Sequence, residues 1–223
     1  MKYKLSRLIE QIDDRNSDEE YSLSDVKGIS IQKVFIETKA TMDGVSLKPY
    51  KLVKPDSFAY VTVTSRNGEK ITLAYNDTED TYIVSSSYIV FKVKEPELLS
   101  SEFLFMYFNR PEFDRFARYN SWGSARETFS WDDMCDIEID LPPLHIQEKY
   151  VAIYKAMLAN QKAYENGLED LKLTCDGYFD KLKKDRSLYN KLGNFIEKNE
   201  LRNIDKKLNK EHVRGISNKK EFI

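Results

Sequence analysis

Acid–base and metal chemistry has little to work with in this sequence, which holds two histidines and two cysteines among 223 residues. Neither His145 nor His212 has a Ser or Cys nearby that would pair with it as nucleophile and base. Cys135 and Cys175 lack metal-ligand spacing. One sits in an apolar, strand-like segment and the other on a helical seam, which marks both as small reduced core residues rather than a disulfide. There is no G-x-G loop after a strand pattern, no Asn-Pro-Pro string of adenine methylation and no Walker lysine. Glu37-Thr38-Lys39 matches half of a nuclease motif, without a positioned Asp partner. No catalytic residue, metal or cofactor is therefore assigned. Eight Gly and six Pro are too few for a low-complexity chain. No apolar run nears the ~18 residues a membrane helix needs, and no charged-then-apolar leader follows Met1. A cytoplasmic protein without membrane association is expected.

What the chain does have is material for a core: 41% apolar residues, with 14 Tyr, 12 Phe and 2 Trp. Its length suits one ordinary domain plus an appendage. The net charge of −2 conceals an asymmetry. Residues 145–223 carry 17 Lys+Arg against 12 Asp+Glu, and residues 1–144 carry 18 against 25. An acidic N-terminal part is poorly suited to bind nucleic acid by bulk charge, so any DNA contact must concentrate its cations on one face.

The chain also repeats itself. Residues 4–36 recur without a gap as residues 191–223, with 14 of 33 positions identical, where unrelated sequences would share about two. The offset is far too long for a solenoid period. The repeating unit is a whole domain, of which the second copy supplies only its opening segment.

Leu5, Leu8, Ile9 and Ile12 have helical spacing ahead of the polar run DDRNSDEE. Four stretches then read as strands, Ile29 to Ile36, Phe58 to Thr64, Lys70 to Tyr75 and Tyr82 to Phe91, with turn chemistry at Arg66-Asn67-Gly68 and Asn76-Asp77. Ser101 to Phe116 reads as helix, with Pro111 breaking or restarting it. After a loop around Gly123, Ile137 to Leu141 alternates as a strand and Pro142-Pro143 stops it. From Ile146 to about Leu182 a heptad seam runs through Tyr150, Tyr154, Met157, Gln161, Tyr164, Leu168, Leu171, Cys175, Tyr178 and Leu182. Gln161, Gly167 and Gly177 interrupt it, which favours a second helix packed along it over an isolated coiled coil. The plainer alternative, an amphipathic helix lying on its own domain, sits badly with a length of about 55 Å.

Six strings carry a family resemblance: DVKGISIQKVFIETKA from Asp25, YKLVKPDSFAYV from Tyr50, SRNGEKITLAYND from Ser65, IVSSSYIVFKV from Ile83, FNRPEFDRFARYNSWGSARETFSWDDM from Phe108 and IDLPPLHIQEKYVAIY from Ile139. Together they resemble a target-recognition domain and spacer helix of a type I restriction-modification specificity subunit. The resemblance implies an α+β fold, with a mixed β-sheet domain followed by a long helix packed antiparallel against a partner helix. It divides the chain into a recognition domain at 1–144, a spacer and dimerisation helix at 145–186, and the start of a truncated repeat unit at 187–223. It also implies a non-catalytic role, in which the domain reads half of a bipartite double-stranded DNA target. The helix would dock modification (methyltransferase) subunits and, through them, restriction subunits.

The run from Arg110 to Arg126, where Arg110, Arg115, Arg118 and Arg126 outnumber Glu112 and Asp114 and are joined by Tyr119, Asn120, Trp122 and Ser124, is the best candidate DNA surface, since Arg suits guanine, Asn suits adenine and aromatics suit the sugar-phosphate edge. Within it, Phe113, Phe116 and Trp122 are expected to be packing residues. Thr64, Arg66, Asn67 and Lys70 at a hairpin tip form a second candidate surface, and Lys39 a third. A single unit with an exposed seam is expected to form a homodimer, Tyr154, Met157, Gln161, Tyr164, Leu168, Leu171, Tyr178 and Leu182 facing the second copy. Two rival readings stay open: an interaction half-subunit that alters or blocks methyltransferase targeting, and a small nuclease using Glu37 and Lys39.

Overall fold

The computed structural model describes residues 2–38, 41–42, 44–65, 70–124, 126–184 and 197. The chain divides into two compact units, Met1–Ala163 and Tyr164–Ile223. The sheets and core described here lie in the first. Residues 191–223, the second copy of the repeat, lie outside the described residues apart from Glu197.

The chain enters through strand β1 (Lys2–Lys4), a single helical turn α1 (Leu5–Leu8) and strand β2 (Ile9–Ile12). A hairpin follows, β3 (Lys27–Ile29) with β4 (Phe35–Glu37), and then β5 (Lys51–Val53), β6 (Ser57–Val61), β7 (Leu73–Tyr75), β8 (Tyr82–Val84) and β9 (Tyr88–Val93). Three helices come next, α2 (Ser101–Phe108), α3 (Pro111–Tyr119) and α4 (Trp131–Cys135). Strand β10 (Glu138–Asp140) and the long helix α5 (Leu144–Lys184) complete the described chain. Among the described residues a four-stranded antiparallel sheet has the order β2-β9-β6-β7. Three two-stranded ladders, β1-β10, β3-β4 and β5-β8, flank it. Sheets combined with helices, the last of them long, are the α+β class expected; the strand ladders are antiparallel rather than mixed.

Both faces of the central sheet are covered, and the strand period of two assigns each residue to a side. Phe58 and Tyr60 of β6 and Phe91 and Val93 of β9 join the main core with Leu5, Leu8, Leu104, Phe108 and Phe113. Ala59, between Phe58 and Tyr60, and Val90, next to Phe91, join a second cluster with Val53 and Val84. Phe58 and Phe91 face each other across the ladder and stack at 4.9 Å, with Phe108 edge-on to both. Such aromatic pairs add about 0.5–1.5 kcal/mol each beyond area burial.

Several expected boundaries move. Ile29 to Ile36 is not one strand but the two arms of the β3-β4 hairpin, whose turn is closed by Ser30 N–H donating to the Val34 carbonyl and holds Lys33 at φ +62. Tyr82 to Phe91 splits at Ser85–Ser87, and its halves join different ladders. The helical spacing from Leu5 holds for one turn only, since Ile9–Ile12 pairs with β9 instead. Cys135 ends helix α4 rather than lying on a strand, and Cys175 is exposed, so it is not a core residue. Pro111 restarts the helix as its first residue, where the missing N–H is harmless.

Helix α5 is anchored by its first turns. Gln147 is fully buried, its amide donating to the Leu98 and Pro142 carbonyls at 2.8 and 2.9 Å while its oxygen accepts from Ser100 N–H at 3.0 Å. Ser100 is itself the N-cap of α2. Gln147→Leu strands three backbone groups, so a loss of about 2–3 kcal/mol of unfolding free energy is expected. Urea denaturation measures it, and a loss under about 0.5 kcal/mol would show that the amide is not a structural clamp.

The repeat gains meaning from burial. Within residues 4–36 the buried side chains are Leu5, Leu8, Ile9, Asn16, Val26 and Lys33. All recur unchanged in the second copy except Leu8, which becomes Phe195. Of the exposed positions only Lys4, Arg15 and Asp18 recur unchanged, so the repeat has varied mainly where the first copy faces water.

Candidate nucleic-acid interface

Helix α3 is short and strongly two-sided. Phe113, Asp114 and Ala117 point inward, while Arg115, Arg118 and Tyr119 face solvent. Tyr119 at the helix end is 81% exposed. Asn120 caps the helix, its side-chain N–H donating to the Phe116 carbonyl at 2.9 Å, so its amide is already engaged. The chain then turns into a tight loop. Trp122 and Thr128 exchange backbone hydrogen bonds at 3.1 and 2.9 Å, and Thr128 also bridges to Val63. Gly123 has φ +138, and an added Cβ would sit 2.3 Å from the Arg126 carbonyl oxygen, so only glycine closes this loop without strain.

The loop displays Trp122, Ser124 and Arg126, all exposed. Trp122 is 67% exposed, which corrects the expectation that it is a packing residue; Phe113 is buried, and Phe116, partly in solvent, packs edge-on against the Phe129 ring. Arg118 is ion-paired with Glu127 at the loop's base, and Arg115 with Glu112 at 3.1 Å. Lys70 joins the group from across a shared groove with Arg115, Arg118 and Tyr119.

The second candidate surface fares differently. Thr64 is buried and its hydroxyl donates to the Glu127 carbonyl at 3.2 Å, so it supports the loop from below instead of facing a groove. Arg66, Asn67 and Lys39 lie outside the described residues. Glu37 is held by Lys27 at 2.5 Å across the β3-β4 ladder.

Beneath the surface lies a contact that sequence reasoning missed. Lys33, 3% exposed, and Asp114, 7% exposed, form an ion pair at 2.7 Å. Lys33 Nζ also donates to the Phe108 carbonyl and lies 5.5 Å from the Phe113 ring centroid. Asp114 accepts from Ile71 N–H at 3.2 Å. Burial pushes the Lys33 ammonium below the usual lysine range, against the opposing pull of Asp114. The pair joins three separate pieces of chain: the β3-β4 turn, helix α3 and the segment after Lys70. Its sequence signal was slight, a lysine inside an apolar run and an acid in an amphipathic helix.

Burial also raises the Cys135 thiol, the reverse of an activated nucleophile. Among the described residues no helix is long and apolar enough to cross a membrane, and no group of three or more His, Cys, Asp or Glu could hold a metal ion.

The seam residues of α5 can also be located. Met157, Tyr164, Leu168, Leu171 and Tyr178 are exposed, as is Gln161, while Tyr154 and Leu182 are half-buried. Docking of α5 within the first unit runs through Gln147 and Val151, the Phe103–Tyr150 ring contact and the Lys155–Glu102 ion pair.

Solved structures with a similar fold include two specificity subunits. One is the crystal structure of a type I restriction-modification system S subunit from M. genitalium, at 12% identity and TM-score 0.50, covering 84% of this chain and 47% of that one. The other is the HsdS subunit from Thermoanaerobacter tengcongensis, at 16% identity and TM-score 0.53, covering 78% and 47%. This chain thus spans about half the length of either. No curated protein matched. The model of the family described as type I restriction modification DNA specificity domain matches residues 20–172. Covering well over half of the sequence, that match places the chain in the type I restriction-modification DNA specificity domain family.

Proposed function

We propose that this chain is a non-catalytic DNA reader that recognises one half of a bipartite double-stranded target for a type I restriction-modification system. The observation that carries the proposal is the groove shared by Lys70, Arg115, Arg118 and Tyr119, linked by the Arg118–Glu127 pair to a loop that exposes Trp122 and Arg126, in an otherwise acidic part of the chain. Cations focused in this way supply phosphate attraction that a dispersed charge of the same size does not. The glycine-closed loop holds Trp122 and Arg126 at a fixed tip, where a guanidinium can bridge guanine O6 and N7. In this reading residues 1–144 recognise DNA, residues 145–186 form the spacer helix that docks modification subunits, and residues 187–223 open a second unit. Restriction subunits join through the modification subunits. Two copies pair along the exposed α5 seam to present two readers.

The test is selection from a randomised duplex library by the full chain assembled with modification subunits. An enriched half-site is expected. Arg126→Ala should then relax preference at one or two base pairs by about 1–3 kcal/mol, roughly 5–150-fold, with the fold unchanged. Preference unchanged in both Arg126→Ala and Trp122→Ala would remove the loop from the interface.

A second reading is favoured by the charge balance of residues 1–144, 18 Lys+Arg against 25 Asp+Glu. There the chain is an interaction half-subunit that alters or blocks targeting. Assembly with modification subunits but no enriched sequence would select it.

A further inference from the structure

The groove between helix α3 and the segment beginning at Lys70 has a volume of about 530 Å³, and its walls carry Lys70, Arg115, Arg118, Tyr119 and Asn109. Asp114 also lines it, and a carboxylate is out of place in a site for an anion. The buried lysine resolves the conflict. Lys33 binds the Asp114 carboxylate from below at 2.7 Å, and Ile71 N–H adds a second donor at 3.2 Å. The negative charge is matched from beneath the groove floor, so the wall cations set the sign of the field. Two of those cations are paired with Glu112 and Glu127 at partly exposed sites. Surface pairs of this kind are worth about 0–1 kcal/mol, so a phosphate can displace them readily.

The groove and the loop tip differ in what they offer. The groove presents long, flexible cations with broad geometry, suited to phosphate oxygens. The tip presents an aromatic ring and a guanidinium on a loop fixed by Gly123 and the Trp122–Thr128 ladder, suited to a base edge. We infer that the groove is the channel for the sugar-phosphate backbone of one DNA strand, with base readout confined to the neighbouring Trp122–Arg126 tip. This inference rests on the DNA-reading function proposed above. It divides the interface into a sequence-blind part and a sequence-reading part, and makes the Lys33–Asp114 pair the element that keeps the groove cationic.

Salt dependence separates the two. The affinity of the full chain for mixed-sequence duplex DNA is measured over a range of salt, alone and with modification subunits, for wild type, Lys70→Ala/Arg115→Ala and Trp122→Ala. Each lost phosphate contact lowers the slope of log K against log salt by about 0.9. The double variant should therefore lose about 1.8 of slope while keeping the wild-type preference among library sequences. Trp122→Ala should show the reverse, with slope kept and preference relaxed. A double variant with the wild-type slope overturns the channel, and so does one whose base preference changes while its slope stays. If wild type binds duplex in neither form, the DNA reading fails together with the channel. Wild-type binding with an unaffected double variant removes the channel alone.

Discussion

Lys33→Met is expected to lower the unfolding free energy by about 3–5 kcal/mol, a large part of the ~5–15 kcal/mol that holds an ordinary domain together. The lysine tip is buried with its carboxylate partner, and the variant leaves Asp114 charged and uncompensated below the groove. Removing one member of a buried pair costs more than removing both. Lys33→Met combined with Asp114→Leu should therefore recover part of the loss, leaving about 1–3 kcal/mol from the orphaned Ile71 N–H and Phe108 carbonyl. The four corners of this cycle are read by urea denaturation, with shifts in midpoint at constant slope. Strictly additive losses would mean that the two residues act separately and that the short contact carries no coupling.

Leu168→Asp combined with Leu171→Asp is expected to convert the proposed homodimer to a monomer at micromolar concentration. Both leucines are exposed on α5, in a seam continued by Met157, Tyr164 and Tyr178. An isologous pairing contains each position twice. Four buried leucines at about 1.5–3 kcal/mol each supply some 6–12 kcal/mol, comparable to the whole free energy of a micromolar dimer. Four carboxylates in their place add desolvation and repulsion. Light scattering gives the mass directly, and circular dichroism checks that the helix survives. A wild-type chain that is monomeric at all concentrations would assign the seam to a different occupant and withdraw the symmetric two-reader arrangement.

The features legible in the sequence are those set by neighbours along the chain. Pro111 marked a helix start, Pro142-Pro143 a strand stop, and heptad spacing marked a helix from Ile146 to about Leu182 that in fact runs Leu144–Lys184. The run from Arg110 to Arg126 stood out as a surface because its cations and aromatics are contiguous. What depends on distant partners was not legible. Ile29 to Ile36 has the composition of a single strand, and nothing local says that Lys33 turns inward to meet an acid on a later helix. Tyr82 to Phe91 likewise reads as one strand, because the two ladders that separate its halves are formed with β5 and with β6 and β2. Thr64 looked like a hairpin-tip residue, yet the Trp122–Thr128 loop folds over it. Trp122 looked like core, but Gly123 holds its loop in a turn that leaves the ring in solvent.

The buried lysine of the β3-β4 turn also constrains where this chain could be joined to a related one. A crossover between two related genes within the exposed stretch at residues 17–20 keeps hairpin and helix from the same parent. A crossover between Lys33 and Asp114 separates them, and a hybrid whose second parent has no acid there inherits a stranded ammonium in its core. The lysine and its carboxylate, far apart in sequence, are therefore kept together or lost together, as one block.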